Sequence, residues 1–259
     1  MTETIRYEVE DGVARIILDN PDAGNAIDQT FADRLLDLAH AAEDDKAVRA
    51  VLLTGTGRLF CVGGNVRAFA AASDNLGNFV RKLTASLHMA VARLASLSKP
   101  VIVAVNGPAA GAGLGLAILG DVVLAARSAS FTVAYPGIGL SPDAGTTFLL
   151  PRLVGLRKAQ EMLFLAKTLN AEEAVAAGLA TMLLEDADLR PQADRIARRL
   201  ASMPTLALAR SKRLLLSSSS RELETQLERE AADIAICSLE PHATEGISAF
   251  LEGRKARFA

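Results

Sequence analysis

Two short runs of small residues could place unshielded backbone N–H groups around one point. The first is Cys61-Val62-Gly63-Gly64, and the second is Gly111-Ala112-Gly113. Each follows a segment typical of a strand, and the second run is predicted to open a helix, where the macrodipole favours negative charge. Two amide N–H groups that meet on one oxygen form an oxyanion hole, in which each donor contributes about 3 kcal/mol. A single such run would more simply mark a turn or tight packing, and no Lys-Ser or Lys-Thr follows to complete a phosphate loop.

Asp143 is the carboxylate inside a further loop segment, Ser141-Pro142-Asp143-Ala144-Gly145. Apolar Ile138, Leu140 and Phe148 are close in sequence, and desolvation by such neighbours makes a carboxylate a better proton acceptor. The same position also suits a helix N-cap, because Asp often precedes a helix and accepts its first free N–H groups. The local sequence leaves both roles open.

Alternating strands and helices must position these segments. Asp11-Gly12 predicts a hairpin between the first two strands, and Asp28 is a predicted N-cap. A long helix is predicted over 76–97, and further strands are predicted at 48–53, 59–62, 101–105, 121–125 and 130–134. From residue 144 the pattern is almost wholly helical, with one short strand at 182–184. Pro204 and Pro241 are predicted to separate two or three long amphipathic helices over 189–250. An α/β core followed by a helical region is therefore expected.

Composition excludes several classes of protein. The chain has 259 residues, 50% hydrophobic and 22% charged, so it can build a large core. The net charge of −2 gives no drive toward nucleic acid, and the glycines and Asp121 within 109–126 argue against a membrane span. Two isolated cysteines predict neither a disulfide framework nor a metal site. With no apolar run of signal-peptide length at the N-terminus, a cytoplasmic protein is expected.

Several blocks, in order along almost the whole chain, resemble the crotonase superfamily (enoyl-CoA hydratase/isomerase). The resemblance is closest to the isomerase-like members of phenylacetate degradation. The blocks are Phe60-Cys61-Val62-Gly63-Gly64-Asn65, Lys99-Pro100-Val101-Ile102-Val103-Ala104-Val105-Asn106-Gly107, Ala110-Gly111-Ala112-Gly113, Ile138-Gly139-Leu140-Ser141-Pro142-Asp143-Ala144-Gly145, Leu150-Pro151-Arg152-Leu153-Val154-Gly155 and Phe250-Leu251-Glu252-Gly253-Arg254-Lys255.

This resemblance implies a spiral core of ββα repeats over residues 1–200 and a helical trimerisation region over 201–259, in a homotrimer or a hexamer. It places oxyanion donors on the N–H groups of Gly64 and Ala112. The tail around Lys255 and Phe258 is expected to reach coenzyme A, in this or a neighbouring subunit. Acyl-CoA is the implied substrate, with no other cofactor and no metal. The other residues expected at the substrate are Ala23, Asn25, Ala26, Asn65, Val66, Arg67, His88, Tyr135 and Leu140.

The chain departs from the family's hydratases at two positions. By the family spacing, the two glutamates that activate water are replaced by Gly115 and Tyr135. Neither is a general base near neutral pH, because Gly has no side chain and a phenol ordinarily titrates near 10. The remaining carboxylate, Asp143, fits the isomerases that the chain resembles. A double-bond isomerase with Asp143 as the proton carrier is the leading prediction.

Other functions stay open at this point. A hydratase with a non-standard site is one, and a dehalogenase-type hydrolase with Asp143 as nucleophile is another. The dehalogenases that the chain resembles carry His at position 88 and an aromatic residue at position 135. Alternatively, His88 is a packed helix residue and Tyr135 ordinary core. A non-catalytic CoA-binding or RNA-binding scaffold belongs to a different class, and the dispersed basic residues do not favour it.

Overall fold

The structure is a computed structural model that describes residues 4–258. Within this range nine strands form two sheets, one of six strands in the order β1-β2-β3-β4-β6-β9 and one of three in the order β5-β7-β8. The strands are β1 (Ile5–Glu10), β2 (Val13–Leu18), β3 (Ala50–Gly55), β4 (Val101–Val105), β5 (Ala109–Ala110), β6 (Val122–Ala126), β7 (Ser130–Thr132), β8 (Leu169–Asn170) and β9 (Met182–Leu184).

Ten α-helices accompany these sheets in the same part of the chain. The predicted helix over 76–97 is present as α3, and Asp28 caps α1 by accepting the N–H of Phe31 at 2.9 Å. The helices are α1 (Gln29–Asp44), α2 (Val66–Ala72), α3 (Leu76–Ser96), α4 (Ala112–Ile118), α5 (Thr146–Phe164), α6 (Ala171–Ala176), α7 (Leu189–Ala201), α8 (Thr205–Ser218), α9 (Leu223–Ser238) and α10 (Pro241–Leu251).

The chain winds as a spiral of repeats. After the β1–β2 hairpin, turned at Asp11-Gly12 with positive φ at both residues, the remaining pairs of the large sheet are parallel. β4 leads through β5 to α4, and β6 leads through β7 to α5. The first strand of each repeat joins the large sheet, and the second joins the small one. The expected crotonase-like α/β fold is thus confirmed.

The strand predicted over 59–62 is wrong, because only a single bridge between Cys61 and Ala109 forms there. The N–H groups of Phe60 and Cys61 both lie near the same acceptor, the carbonyl oxygen of Pro108, at 3.1 and 3.3 Å. The next N–H, of Val62, donates instead to the oxygen of Gly24 at 3.1 Å. Within the described part of the chain no neighbouring strand runs alongside this segment, so its short apolar run does not form a ladder of hydrogen bonds.

The core lies on both faces of the large sheet. One face packs against α1, α3 and the small sheet, in a cluster rich in Leu, Val and Ile. The other face is covered by α7, whose buried side chains Leu189, Ala193, Ala197 and Ala201 contact the strands. Three of these four are alanines, and such small side chains let the helix axis approach the sheet closely.

The last three helices form a thin layer with little core of its own. The prediction of two or three helices over 189–250 is wrong, since α7 to α10 make four, although breaks fall at Pro204 and Pro241 as predicted. Between residues 205 and 258 only Asp233 and Ala249 are buried. Lys212 joins this layer to the sheet, because its Nζ donates to Asp121 Oδ2 at 2.8 Å, and burial lowers the pKa of that ammonium.

Large apolar side chains remain exposed on this layer, and they lie on successive helices. None of the helices in the described part of the chain combines the length and apolar character needed to cross a membrane. The exposed side chains are Leu215, Leu216, Leu223, Leu227, Ile234, Ile236, Leu239, Ile247, Phe250 and Leu251.

Candidate active site

Both small-residue runs and Asp143 open onto one cavity of about 570 Å³. Its floor and walls come from the bends after β3 and β5, from α3, and from the loop before α5. Apolar side chains supply most of the lining, including Ile27, Phe69, Leu83, Leu87, Ile138 and Leu140. A largely apolar cavity with a few polar groups is the usual form of a small-molecule site.

The two bends contact each other through their backbones. The N–H of Ala110 donates to the oxygen of Cys61 at 2.9 Å, which fixes their relative height. A Cβ added to Gly63 would lie 2.7 Å from the oxygen of Ala110 and 3.1 Å from the nitrogen of Ala112. Gly63 also has a φ of +88°, so glycine is required there for conformation as well as for space.

Two amide groups beside this contact are available to a ligand. Gly64 and Ala112 both line the cavity. Within residues 4–258 neither amide N–H donates to another protein atom. Ala112 is the first residue of α4, where the first N–H groups of a helix have no partner in the helix. An oxygen carrying negative charge is the kind of group that such donors bind.

Asp143 is held between two side chains in the same cavity. The Tyr135 hydroxyl donates to its Oδ1 at 2.5 Å, and His88 Nε2 lies 3.3 Å from its Oδ2. The N-cap role left open by the sequence does not apply, because Gly145 caps α5 and no side chain takes part. The hydroxyl and imidazole therefore fix the direction of a carboxylate that faces the cavity.

Tyr135 is a hydrogen-bond donor throughout the ordinary pH range. Burial raises the pKa of its phenol well above 10.0, and the negative charge of Asp143 raises it further. Its side chain is not only core packing, because the ring lines the cavity and the hydroxyl reaches the carboxylate. His88 likewise lies on the cavity wall, and its side chain is 47% exposed.

Position 115 has no room for any side chain. A Cβ there would lie 2.4 Å from the oxygen of Ala144 and 2.8 Å from its Cβ. Ala144 itself has a φ of +50°, a conformation that non-glycine residues seldom adopt. The loop carrying Asp143 thus sits directly on the glycine backbone of α4. A glutamate at position 115 would require this loop to move away.

The predicted site residues divide into two groups. Gly64, Val66, His88, Ala112, Tyr135, Leu140 and Asp143 line the cavity. A second group lies outside that lining and consists of Ala23, Asn25, Ala26, Asn65 and Arg67.

Asn25 and Asn65 have structural contacts instead. The Asn25 side chain is buried, and its Nδ2 donates to the carbonyl oxygens of Thr56, Leu59 and Phe60 at 2.9 to 3.2 Å. Asn65 Oδ1 accepts the N–H of Ala68 at 3.2 Å and so caps α2. The side-chain amides of Asn25 and Asn65 therefore stabilise the conformation of the first bend. Ala23 and Arg67 are exposed, and Ala26 is half-buried.

Sequence reasoning named His88 but missed the other four residues that α3 contributes to the cavity wall. Five residues of this helix face the cavity, and they recur at the spacing of one helical face. That periodicity, read outward from His88, is the signal that could have found them. They are Val80, Leu83, Thr84, Leu87 and His88.

The C-terminal tail folds back on its own helix. Arg254 forms ion pairs with Glu245, and the ring of Phe258 packs edge-on against His242 at 5.7 Å between centroids. Hydrogen bonds from Arg254 and from the N–H of Arg257 hold the pKa of Glu245 at about 2. Neither Lys255 nor Phe258 lines the cavity of this chain. That the tail reaches coenzyme A stays a prediction.

The cysteines and the acidic side chains offer no further chemistry at the site. Cys61 is buried, its Sγ donates to the oxygen of Asn25 at 3.1 Å, and burial raises the pKa of its thiol to about 12. It therefore stays protonated at neutral pH and is a poor nucleophile. No group of three or more metal-ligating side chains is found in residues 4–258.

Comparison with known proteins agrees with this geometry. The model of the enoyl-CoA hydratase/isomerase family matches residues 8–259, so the chain belongs to this family, and the resemblance found in the sequence is confirmed. The chain is 40% identical to the 1,2-epoxyphenylacetyl-CoA isomerase of Escherichia coli, over 100% of this chain and 99% of that protein. It is also 40% identical to a probable enoyl-CoA hydratase of Rhodobacter capsulatus, over 98% and 97%.

Two further relatives extend the range of the comparison. A 4-chlorobenzoyl coenzyme A dehalogenase of an Arthrobacter species is 34% identical, over 95% of this chain and 90% of that protein. The crystal structure of an enoyl-CoA hydratase from a Polaromonas species superposes with a TM-score of 0.94 at 32% identity, covering 98% of this chain and 99% of the other. Isomerases, hydratases and dehalogenases are thus all among the relatives.

Proposed function

We propose that this protein is an acyl-CoA isomerase that moves a double bond by proton transfer. The observation that carries the proposal is a single carboxylate, Asp143, held at the wall of a cavity that also contains two unused amide donors. The matching family model is that of enoyl-CoA hydratases and isomerases, and a relative named as a CoA-thioester isomerase is 40% identical over the full chain.

The reaction needs one base and one anion site. Asp143 removes a proton from a carbon next to the thioester or from the vinylogous carbon. The electron pair of the broken C–H bond moves into the conjugated system and onto the thioester oxygen. The amides of Gly64 and Ala112 bind that oxygen and stabilise the enolate. Asp143 then returns the proton to a different carbon, which leaves the double bond in a new position.

Hydration by the family's two-glutamate route is disfavoured. The backbone of the Asp143 loop closes position 115, and position 135 carries a phenol that stays protonated. A lone carboxylate can carry one proton between two carbons, but it lacks the partner that positions water in that route. The relative named as a hydratase keeps this activity as an alternative with a non-standard site.

Nucleophilic attack by Asp143 on an aryl-CoA is the second candidate. The His88 ring beside Asp143 and the 34% identical dehalogenase support it. In this route the Asp143 carboxylate attacks the ring carbon that bears a halide, the halide ion leaves, and an aspartyl aryl ester remains. Water then hydrolyses this ester to a phenol and the free carboxylate, so a covalent adduct should be trappable before hydrolysis. A non-catalytic scaffold fits less well, because the cavity holds an oriented carboxylate and the net charge of −2 does not favour RNA.

We propose that the protein assembles as a homotrimer or a hexamer of two trimers, and exposed apolar side chains on the last three helices support self-association. Leu223, Ile234, Leu239 and Phe250 are each more than two-thirds exposed in a single chain, and burying such a surface is the usual reason for association. We propose that coenzyme A enters only as part of the substrate, without another cofactor or a metal, and that the enzyme works in the cytoplasm.

The test combines a substrate screen with Asp143→Asn. Unsaturated, aromatic and branched acyl-CoAs are incubated in H2¹⁸O, and products are followed by absorbance and mass. A shifted double bond without mass change supports isomerisation, whereas a gain of water supports hydration, and a trapped adduct on Asp143 supports the nucleophilic route. Asp143→Asn should lower turnover by about 10²–10⁴-fold and retain acyl-CoA binding.

The control for this variant is Asp37→Asn, which makes the same change at an exposed residue of α1 outside the cavity. It should turn over like the unaltered enzyme. Undiminished turnover by Asp143→Asn would remove Asp143 from the mechanism, and binding lost in that variant would point to a damaged cavity instead.

A further inference from the structure

The His88 ring faces two groups through one nitrogen. Nε2 lies 3.3 Å from Asp143 Oδ2 and also 3.3 Å from the backbone nitrogen of Ala144. A ring nitrogen either carries a proton and donates, or lacks one and accepts. It therefore donates to the carboxylate in one state and accepts the Ala144 N–H in the other. Which state holds depends on where the proton is.

The two oxygens of Asp143 are not equivalent. Oδ1 already accepts the hydroxyl of Tyr135 at 2.5 Å, so this oxygen is occupied by a hydrogen bond. Oδ2 faces His88 and is the oxygen that remains available to take a transferred proton. A proton on Oδ2 is therefore within hydrogen-bond reach of an imidazole nitrogen.

His88 is also the more exposed partner of this pair. Its side chain is 47% exposed, compared with 26% for Asp143, while Tyr135 is buried. An acyl group in the cavity would cover the carboxylate further, because Asp143 lies in the lining. His88 also lies in this lining, but its larger exposed fraction makes the imidazole the more direct connection between the carboxylate and solvent.

We propose that His88 relays the proton held by Asp143 to solvent and back, and so sets how much of the transferred hydrogen is exchanged. This rests on the proposed isomerase function. After Asp143 takes the substrate proton, Oδ2–H donates to unprotonated Nε2 and the proton moves to the ring, giving an imidazolium and a carboxylate. Nδ1 releases its proton to water, and the return path delivers a solvent proton to Asp143.

The relay acts through Asp143, so His88 is a positioning residue and its effect is on the fate of the proton. Without it, Asp143 keeps the substrate hydrogen and returns the same atom. The Ala144 N–H supplies the resting partner of Nε2 when the ring does not donate. In D2O the relay therefore produces deuterated product, and its loss produces product that retains the original hydrogen.

The experiment measures deuterium in the product at low conversion in D2O, using an enoyl-CoA that the enzyme isomerises. His88→Gln can still donate to Asp143 but cannot pass a proton through a ring. Its deuterium content per turnover should fall by roughly 10²-fold, the lower end of the effect of removing a positioned proton-transfer group, while turnover continues. His88→Ala should fall similarly, and added imidazole should restore deuterium incorporation.

His40→Gln is the matched control, because His40 lies on α1 and does not line the cavity. Its product should carry as much deuterium as that of the unaltered enzyme. Equal deuterium in the His88→Gln product would overturn the relay alone, as would complete retention of hydrogen by the unaltered enzyme. Absence of isomerisation by the unaltered enzyme would overturn the proposed function, and the relay with it.

Discussion

One half of the site is built from backbone groups, and the other half is built from side chains. The paired bends at 61–64 and 111–113 present backbone amides, and their constraint is the absence of side-chain atoms. The Asp143 cluster presents a carboxylate, a phenol and an imidazole, and its constraint is the identity of those atoms.

This difference predicts two kinds of damage. The bends should fail when an atom is added, because the backbones already touch. The Asp143 cluster should lose activity when one atom is replaced by another without a change of shape, because its function depends on the type of atom and not on the space available. Variants can therefore separate loss of the anion site from loss of proton transfer.

Gly113→Ala should cause the largest loss. The added Cβ would lie 2.2 Å from the oxygen of Cys61, and the backbone of the first bend cannot yield without leaving the cavity wall. Helix propensity alone would favour Ala by about 1 kcal/mol, but overpacking costs about 3 kcal/mol and should decide the sign. We expect a clear fall in the melting temperature and loss of acyl-CoA turnover.

Gly77→Ala provides the contrast, because an added Cβ at this helical glycine meets nothing within 4 Å. Thermal unfolding should show it stabilised by about 0.5–1 kcal/mol. If both alanines behaved alike, the contact between the bends would not be what limits position 113.

Ala112→Pro should come second, since it removes one amide donor where proline suits the backbone. Position 112 is the first residue of α4, and proline is favoured there because its missing N–H has no helical partner. Losing one oxyanion donor should lower kcat by about 10²–10³-fold. Ala112→Gly keeps the N–H and should stay within about threefold of the unaltered enzyme.

Steady-state kinetics with a thermal melt would check this pair. A melt close to that of the unaltered protein would show that the proline is accommodated. Full turnover in such a folded variant would mean that the amide of Ala112 does not bind the developing charge.

The sequence located the two bends that line the cavity, because a run of small residues is a local signal. A short run of glycines indicates a close backbone approach at any position in a chain. The expectation that the two runs face each other came from the resemblance to the family. The failure at 59–62 has the opposite cause. The pattern of that segment is strand-like, but pairing depends on neighbours far away in the chain, and these are Pro108 and Gly24.

The side-chain half was only partly predictable. Asp143, His88 and Tyr135 were all named, but their contacts join residues 8 and 55 positions apart, and local sequence does not encode such geometry. The close contact between Ala144 and Gly115 likewise joins residues that are far apart in the sequence. The five residues of the α3 wall could have been predicted from the sequence, because the residues on one face of a helix recur at a regular spacing. Asn25 shows the opposite case, since this polar residue near the site forms hydrogen bonds that stabilise a loop and does not face the cavity.

Tyr135→Phe should have the smallest effect of the three, because it removes one hydrogen bond and leaves both the carboxylate and its space. A hydrogen bond to a charged group contributes about 1.5–3 kcal/mol, but part of that loss is offset because a carboxylate without the donor is more basic. We expect orientation to dominate, with kcat about tenfold lower and KM little changed.

Tyr7→Phe, at the other tyrosine of the chain, is the matched control, since its hydroxyl is buried and has no hydrogen-bond partner among residues 4–258. The pKa of Tyr135 lies above 10.0, so the unaltered enzyme should keep this donor throughout a pH–rate profile that ends at pH 10. Turnover by Tyr135→Phe that equals or exceeds that of the unaltered enzyme would show that basicity, not direction, limits Asp143, and the side-chain half of the site would then be less tightly specified than the backbone half.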